Sequence, residues 1–172
     1  MHHHQRRDFP PLVYATDMPN KTLRRYRRLQ RWPAGHWLFT RAICFKAPYF
    51  ASISPRIGVL QPNRCEVTLR HRRKITNHLG TVHAIALCNM AELAGGMMTE
   101  VSLPDAMRWI PKGMAVEYVK KVVGTMRAVA TPSIPVIESS EGYALPVDVV
   151  VTDPTGDTVF RATISMWLSP KR

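Results

Sequence analysis

The sequence predicts an α+β fold in which an antiparallel β-sheet wraps one buried helix. Three observations carry that expectation. Residues 81–98 read TVHAIALCNMAELAGGMM, with no proline and a single charge, the pattern of a helix apolar on nearly every side. Within it Ala84, Ala86, Ala91, Ala94, Gly95 and Gly96 keep the helix thin, so a neighbouring surface can close tightly around it. Upstream, Cys65–Arg70 alternates with period two, further strand candidates follow downstream, and a run of strands meeting one helix favours a mixed fold with an antiparallel sheet.

The elements follow in order. Residues 1–34 are read as an N-terminal arm and a basic helix, and 35–172 as the main domain. The proline-bearing stretch 1–19 lacks periodicity, and His2, His3 and His4 on it are set aside as a metal site. Asn20 is a natural N-cap for a short helix through about Gln30. Its apolar residues Leu23, Tyr26 and Leu29 form a narrow stripe suited to docking on the chain's own domain. Pro33 and Gly35 stop it, and a second helix is expected over His36–Phe45. Ile57, Val59 and Leu60 lead into a Gln61-Pro62-Asn63 turn, and Cys65–Arg70 alternates as a half-buried strand with Glu66, Thr68 and Arg70 on its polar face. Beyond the central helix, strands are expected over Met114–Val123, Met126–Thr131, Tyr143–Thr152 and Thr158–Leu168. The last two form a hairpin about Pro154-Thr155-Gly156-Asp157.

Length and composition narrow the function classes. A chain of 172 residues, 45% of them hydrophobic, supports one domain with a full core. No run of about 18 apolar residues is present, and the N-terminus lacks the apolar core of a secretory signal, so a cytoplasmic protein without a transmembrane segment is expected. Cys44, Cys65 and Cys88 are odd in number and widely spaced, so they read as reduced, mostly buried thiols rather than a disulfide framework or zinc site. The net charge of +12 favours an anionic partner. Arginines cluster at Arg24, Arg25, Arg27, Arg28 and Arg31, and again at Arg70, Arg72 and Arg73 beside Lys74. Solvated faces explain most such runs, and no zinc-finger or ribonucleoprotein-type motif accompanies them, so no specific nucleic acid is expected.

The segment that carries chemistry is Asn77-His78-Leu79-Gly80-Thr81-Val82-His83-Ala84, followed by Glu92. It reads as a polar turn entering the buried helix. A helix N-terminus leaves backbone N–H groups without intrahelical partners, and such donors can stabilise an oxyanion. Glu92 lies eight residues after Ala84 and so faces nearly the same side, rotated by roughly 80°. Carboxylate and N–H are therefore expected to flank one reacting carbonyl. As the one acid of residues 81–98, Glu92 is expected to be buried, which favours its protonated form. Simpler readings stand beside these: Glu92 paired with an arginine, His83 hydrogen-bonded within the turn, Asn77 a helix cap.

Residues 77–92 resemble the signature of hotdog thioesterases of the phenylacetyl-CoA thioesterase type, roughly N-x-x-G-x-x-H-G-G followed by an acid on the helix. Asn77, Gly80, His83 and Glu92 stand in register, with Ala84 and Ile85 at the two glycine positions. The wider region from about Pro48 to Met166 resembles a less characterised branch of the same superfamily. The resemblance implies a hotdog domain, paired edge to edge with a second copy as a homodimer or dimer of dimers, with active sites at the interface. It implies hydrolysis of an acyl-CoA or acyl-carrier-protein thioester. Glu92 would be the nucleophile or the base that activates water, the Ala84 N–H would polarise the carbonyl, and Asn77 would position the reacting groups. His83 would brace the turn, with Gly80, His83, His78 and Met90 around the substrate, the acyl chain beside Met90, Met97 and Met98, and basic residues on the phosphates. No metal or cofactor is called for, because a thioester already has a good leaving group and the oxyanion donors are backbone groups. The serine or threonine that some relatives place on the following strand has no counterpart in Met107–Val116. Two further readings are a hotdog hydratase or dehydratase, suggested by the 14-residue separation of His78 and Glu92, and a non-catalytic acyl-CoA-binding protein.

Overall fold

A computed structural model describes residues 20–171; the expected arm over 1–19, with its three histidines, lies outside them. Asn20 caps α1 (Lys21–Leu29), its side-chain oxygen accepting the N–H of Leu23 at 2.9 Å. Leu23 and Tyr26 are buried in the common core and Leu29 packs against it, so the arginine-bearing helix does dock on its own chain. A short turn leads to α2 (Gly35–Lys46), and a 3-10 segment (Pro48–Ile53) joins it to a hairpin of β1 (Arg56–Gln61) and β2 (Arg64–Leu69). Then come α3 (Ala84–Ser102), β3 (Met107–Tyr118), β4 (Met126–Pro132), β5 (Tyr143–Thr152) and β6 (Thr158–Pro170).

The strands form one antiparallel sheet in the order β1-β2-β4-β5-β6-β3, and α3 lies against its inner face. This is the hotdog arrangement. Alternation explains the inner face: Cys65, Val67 and Leu69 of β2, and Leu145, Val147, Val149 and Val151 of β5, are buried together with Leu87, Met90, Leu93 and Met98 of α3. The thinness of the helix is used where expected. A Cβ on Gly95 would stand 2.7 Å from Ile164 Cδ1 of β6, and one on Gly96 3.0 Å from the Trp109 ring of β3.

Two expectations are corrected. Two strands rather than one precede the central helix. β3 begins at Met107, seven residues before the expected Met114, and ends at Tyr118 rather than Val123. Its side chains are exposed on both faces over most of its length, so no alternation marks it, and Pro111 and a bulge before Gly113 read locally as loop.

The two sheet edges differ. At β1 the edge is covered by α2 and α1: Thr40 Oγ1 of α2 accepts the N–H of Ile57 at 3.0 Å, and Tyr26 Oη of α1 donates to the carbonyl of Gly58 at 2.7 Å. At β3 the outer edge is bare among the described residues, with Ile110, Met114, Val116 and Tyr118 exposed. No helix of the described chain is long and apolar enough to cross a membrane.

Candidate active site

The turn before α3 is built by Asn77. Its side-chain oxygen accepts the N–H groups of Leu79 (3.0 Å) and Thr81 (3.2 Å), and its amide nitrogen donates to Thr81 Oγ1 at 2.9 Å. Its backbone closes the same loop, donating to Thr81 O and accepting from Gly80. Asn77 is thus committed to the turn and is not the helix cap. Gly80 takes φ +73°, the left-handed region that suits glycine. His78 is exposed on the turn and makes no hydrogen bond to Glu92 among the described residues, so the His78–Glu92 pair of the dehydratase reading is not assembled in this chain.

His83 is the N-cap of α3. Its Nδ1 accepts the N–H of Ile85 at 3.1 Å, and its carbonyl takes the N–H of Ala86 at 2.9 Å. Its own N–H goes to Ile75 O at 2.8 Å. Of the four donors that open a helix, the cap therefore leaves one, the N–H of Ala84 at the first helical position, without a partner among the described residues. Ala84 is half-exposed, so this donor is reachable. His83 thus ties the start of α3 to the segment before it, through its ring on Ile85 and its backbone on Ile75.

Glu92 is exposed, not buried as expected. The sequence argument assumed that a helix apolar all round is enclosed all round. In fact α3 keeps one open stripe through Ile85, Cys88 and Glu92, where the sheet does not close over it. No lysine or arginine pairs with Glu92 among the described residues. Nor is it the sole acid of the helix, which runs on to include Glu100. That carboxylate accepts from Trp109 Nε1 (3.0 Å) and Thr22 Oγ1 (3.1 Å), and its carbonyl accepts from the Asn20 amide. Glu92 opens into a mainly apolar groove of about 410 Å³ lined by Ile43, Phe50, Leu93, Met97, Trp109 and Pro111, with Lys46 at its side. Met97 lines this groove, but Met90 and Met98 are sealed in the core at 0% exposure, which corrects their expected place beside an acyl chain.

The spacing of the two candidate groups is also corrected. Eight residues of α-helix separate Ala84 from Glu92 by about 12 Å along the axis, and a glutamate leaning toward the N-terminus recovers less than about one 5.4 Å turn of it. One chain's N–H and carboxylate therefore do not flank a single carbonyl.

Sequence reasoning missed a hydroxyl. Tyr118, at the end of β3 and two residues beyond the window searched for one, places its Oη 3.0 Å from Cys88 Sγ. Cys88 lies one turn after Ala84 and one turn before Glu92 on the same stripe, so a phenol sits beside the middle of the candidate site. The hydrogen bond with Cys88, then burial, then the neighbouring thiol's charge push the Tyr118 phenol well above its ordinary value. Its signal lay in the sequence as an aromatic near the end of an edge strand, but only the register of β3 against β6 (Tyr118 opposite Phe160) fixes where it stands. Cys44 and Cys65 are buried as expected; Cys88 is half-exposed.

Comparison with known proteins places this geometry. Over residues 35–168 the chain matches the family described as "Domain of unknown function (DUF4442)". No curated protein matches it. Among solved structures, a structural-genomics crystal structure is 44% identical with a TM-score of 0.74, the match covering 87% of this chain and 98% of that one. A thioesterase from Haemophilus influenzae shares 12% identity at a TM-score of 0.62, over 71% of this chain and 82% of that one. A Bacillus halodurans protein solved with CoA shares 26% identity at a TM-score of 0.53, over 60% of this chain and 66% of that one. With more than half its length matched and its sheet and central helix superposing on thioesterase-family structures, the chain belongs to the DUF4442 family and carries the hotdog fold.

Proposed function

We propose that the protein hydrolyses acyl thioesters of coenzyme A or an acyl carrier protein, at a site shared between two copies of the chain. The observation that carries this reading is the open stripe of α3, with an unspent N–H at Ala84 and an unpaired carboxylate at Glu92. Because about 12 Å separates them in one chain, the pair is completed when the α3 of a second copy lies antiparallel, setting Ala84 of one copy opposite Glu92 of the other. The bare β3 edge supports such a partner: an unpaired strand with exposed apolar side chains is a template for pairing, and two β3 strands would join the sheets into one. Exposed Leu79 and Ile85 beside the stripe would be covered in the same assembly.

In that arrangement the Ala84 N–H polarises the thioester carbonyl and stabilises the oxyanion. Glu92 takes the proton of a water as its oxygen attacks the carbonyl carbon, the C–S bond breaks, and the proton passes to the departing thiolate. Tyr118 is a positioning residue, its phenol oriented by Cys88 and able to hold the water. The acyl chain takes the groove of Phe50, Leu93 and Met97, and Asn77 and His83 hold the turn that presents the N–H. The fold relatives that are thioesterases, and the relative solved with CoA, support the substrate class.

The exposed side chain of Ile85, where the family pattern has glycine, favours a second reading in which the site binds an acyl thioester without turning it over. The test is thiol release from a panel of acyl-CoA and acyl-carrier-protein thioesters by the wild type and by Glu92→Gln. The expected result is release by the wild type and a loss of about a hundredfold or more in the variant. Equal rates would remove Glu92 from the chemistry, and tight acyl-CoA binding without release would favour the second reading.

A further inference from the structure

On the far side of α2 from the Glu92 groove lies a second concavity, of about 690 Å³, lined by Trp37, Arg41, Arg56, Thr68, Arg70 and Arg72 among others. The two grooves use different faces of α2. Residues 37, 40, 41 and 44 face this one and 43, 46 and 47 face the other, each a helical i, i+3, i+4 set. The alternation of β2 that buries Val67 and Leu69 turns Thr68 and Arg70 outward to form its floor, with Arg56 beside them on β1. Four arginines line it, and among the described residues no carboxylate does. None of the four is in a salt bridge among the described residues. Glu66, the acid on the same face of β2 as Thr68, is already held by Arg64 and Arg127, both at 2.7 Å. Arg72 donates to Ser54 O at 3.1 Å, and Arg41 lies with its Cζ 6.0 Å from the centre of the Trp37 ring, which is itself 58% exposed.

Like charges gathered in a concave wall focus a positive potential that an exposed ridge would dissipate into solvent. Guanidinium forks match phosphate oxygens bidentately, and an open indole beside them offers a stacking face for a planar base. The volume is that of a small-molecule site rather than of a flat protein-docking surface. We infer that this groove binds a nucleotide carrying two or more phosphates, with the arginines on the phosphates and the base against Trp37. At the β1 end of the sheet the groove is remote from the bare β3 edge, so it stays open whether or not two copies pair there. The inference does not depend on the role of Glu92. Two sources share this chemistry: the nucleotide of a CoA-type thioester, and a free nucleotide.

The experiment is calorimetric titration of the full chain with adenosine 3′,5′-bisphosphate, ADP and unphosphorylated adenosine at fixed salt, for the wild type, Arg56→Gln/Arg70→Gln and Trp37→Leu. These are exposed positions, and a thermal melt of each variant confirms folding. Saturable binding of both phosphorylated ligands is expected, and none of adenosine. The double arginine variant should weaken it by about thirtyfold or more, and the tryptophan variant by about fivefold. The double variant separates the sources: a raised KM for a CoA thioester but not for the N-acetylcysteamine thioester of the same acyl group identifies the carrier's nucleotide. Unchanged KM values with nucleotide binding lost identify a free nucleotide. Absence of saturable binding at millimolar ligand, or binding untouched by the arginine substitutions, overturns the inference. So does arginine-dependent capture of polyglutamate or of anionic vesicles that nucleotide does not displace.

Discussion

Four backbone donors open α3, and the imidazole and carbonyl of His83 take up those of Ile85 and Ala86 while His83's own is spent on Ile75. The donor left at Ala84 can be deleted without breaking the helix. Proline is favoured at the first helical position, where no intrahelical bond is lost, and His83 already has the extended backbone (φ −66°, ψ 137°) that a following proline requires. Ala84→Pro is expected to lower kcat by about a hundredfold, as loss of one oxyanion donor does, while the thermal midpoint stays near that of the parent; steady-state thiol release and a melting curve check both. Tyr118→Phe tests the phenol. A hydroxyl that only orients water is worth about tenfold in kcat, with KM unchanged. The pH profile of the variant should keep its shape between neutral and mildly alkaline pH, because a phenol is un-ionised there at its ordinary value and the bond to Cys88 moves this one further up. At this scale the sequence was informative where a residue acts through its own backbone turn. Asn77, Gly80 and His83 are neighbours in the chain, so a polar turn entering the helix was legible, while the part of Asn77 in closing that turn, rather than capping the helix, was not. It was uninformative about Tyr118, which meets Cys88 across 30 residues.

The helix itself encodes a register. Cys88 is four residues from both Ala84 and Glu92, so if Ala84 of one copy faces Glu92 of another, the two Cys88 thiols face each other at the two-fold axis. Cys44 and Cys65 are buried and should not compete. A short bis-maleimide is therefore expected to convert the protein to a covalent dimer on a denaturing gel, and Cys88→Ser to abolish it. Dimers in light scattering that do not cross-link would mean a different helix register. The inner elements were legible because burial on one face leaves alternation behind, as in β2 and β5, and because glycines at 95 and 96 mark where the sheet comes close. The first half of β3 was not, since both of its faces are open in a single chain and its pattern reports no core. The same openness misled the reading of Glu92. An apolar helix implied enclosure, but part of its surface is left for something other than its own sheet.

The whole molecule then has two unlike ends. Among the described residues, the β1 end is closed by α2 and carries a concave cluster of arginines, and the β3 end is bare, apolar and flanked by the open stripe of α3. The net charge of +12 pointed to an anionic partner without a location, because a sum over the chain cannot show which arginines are left without acids once it folds. The central claim is that each active site draws its carboxylate from one copy and its N–H from the other, and mixed dimers of Glu92→Gln and Ala84→Pro chains test it most directly. Each parent homodimer lacks one group in both sites. In a mixed dimer built as proposed, one site loses both groups and the other keeps both. An equal, fully exchanged mixture should therefore recover about a quarter of wild-type thiol release, since about half the dimers are mixed and each has one live site of two. Activity no greater than that of the two inactive parents would contradict the shared site.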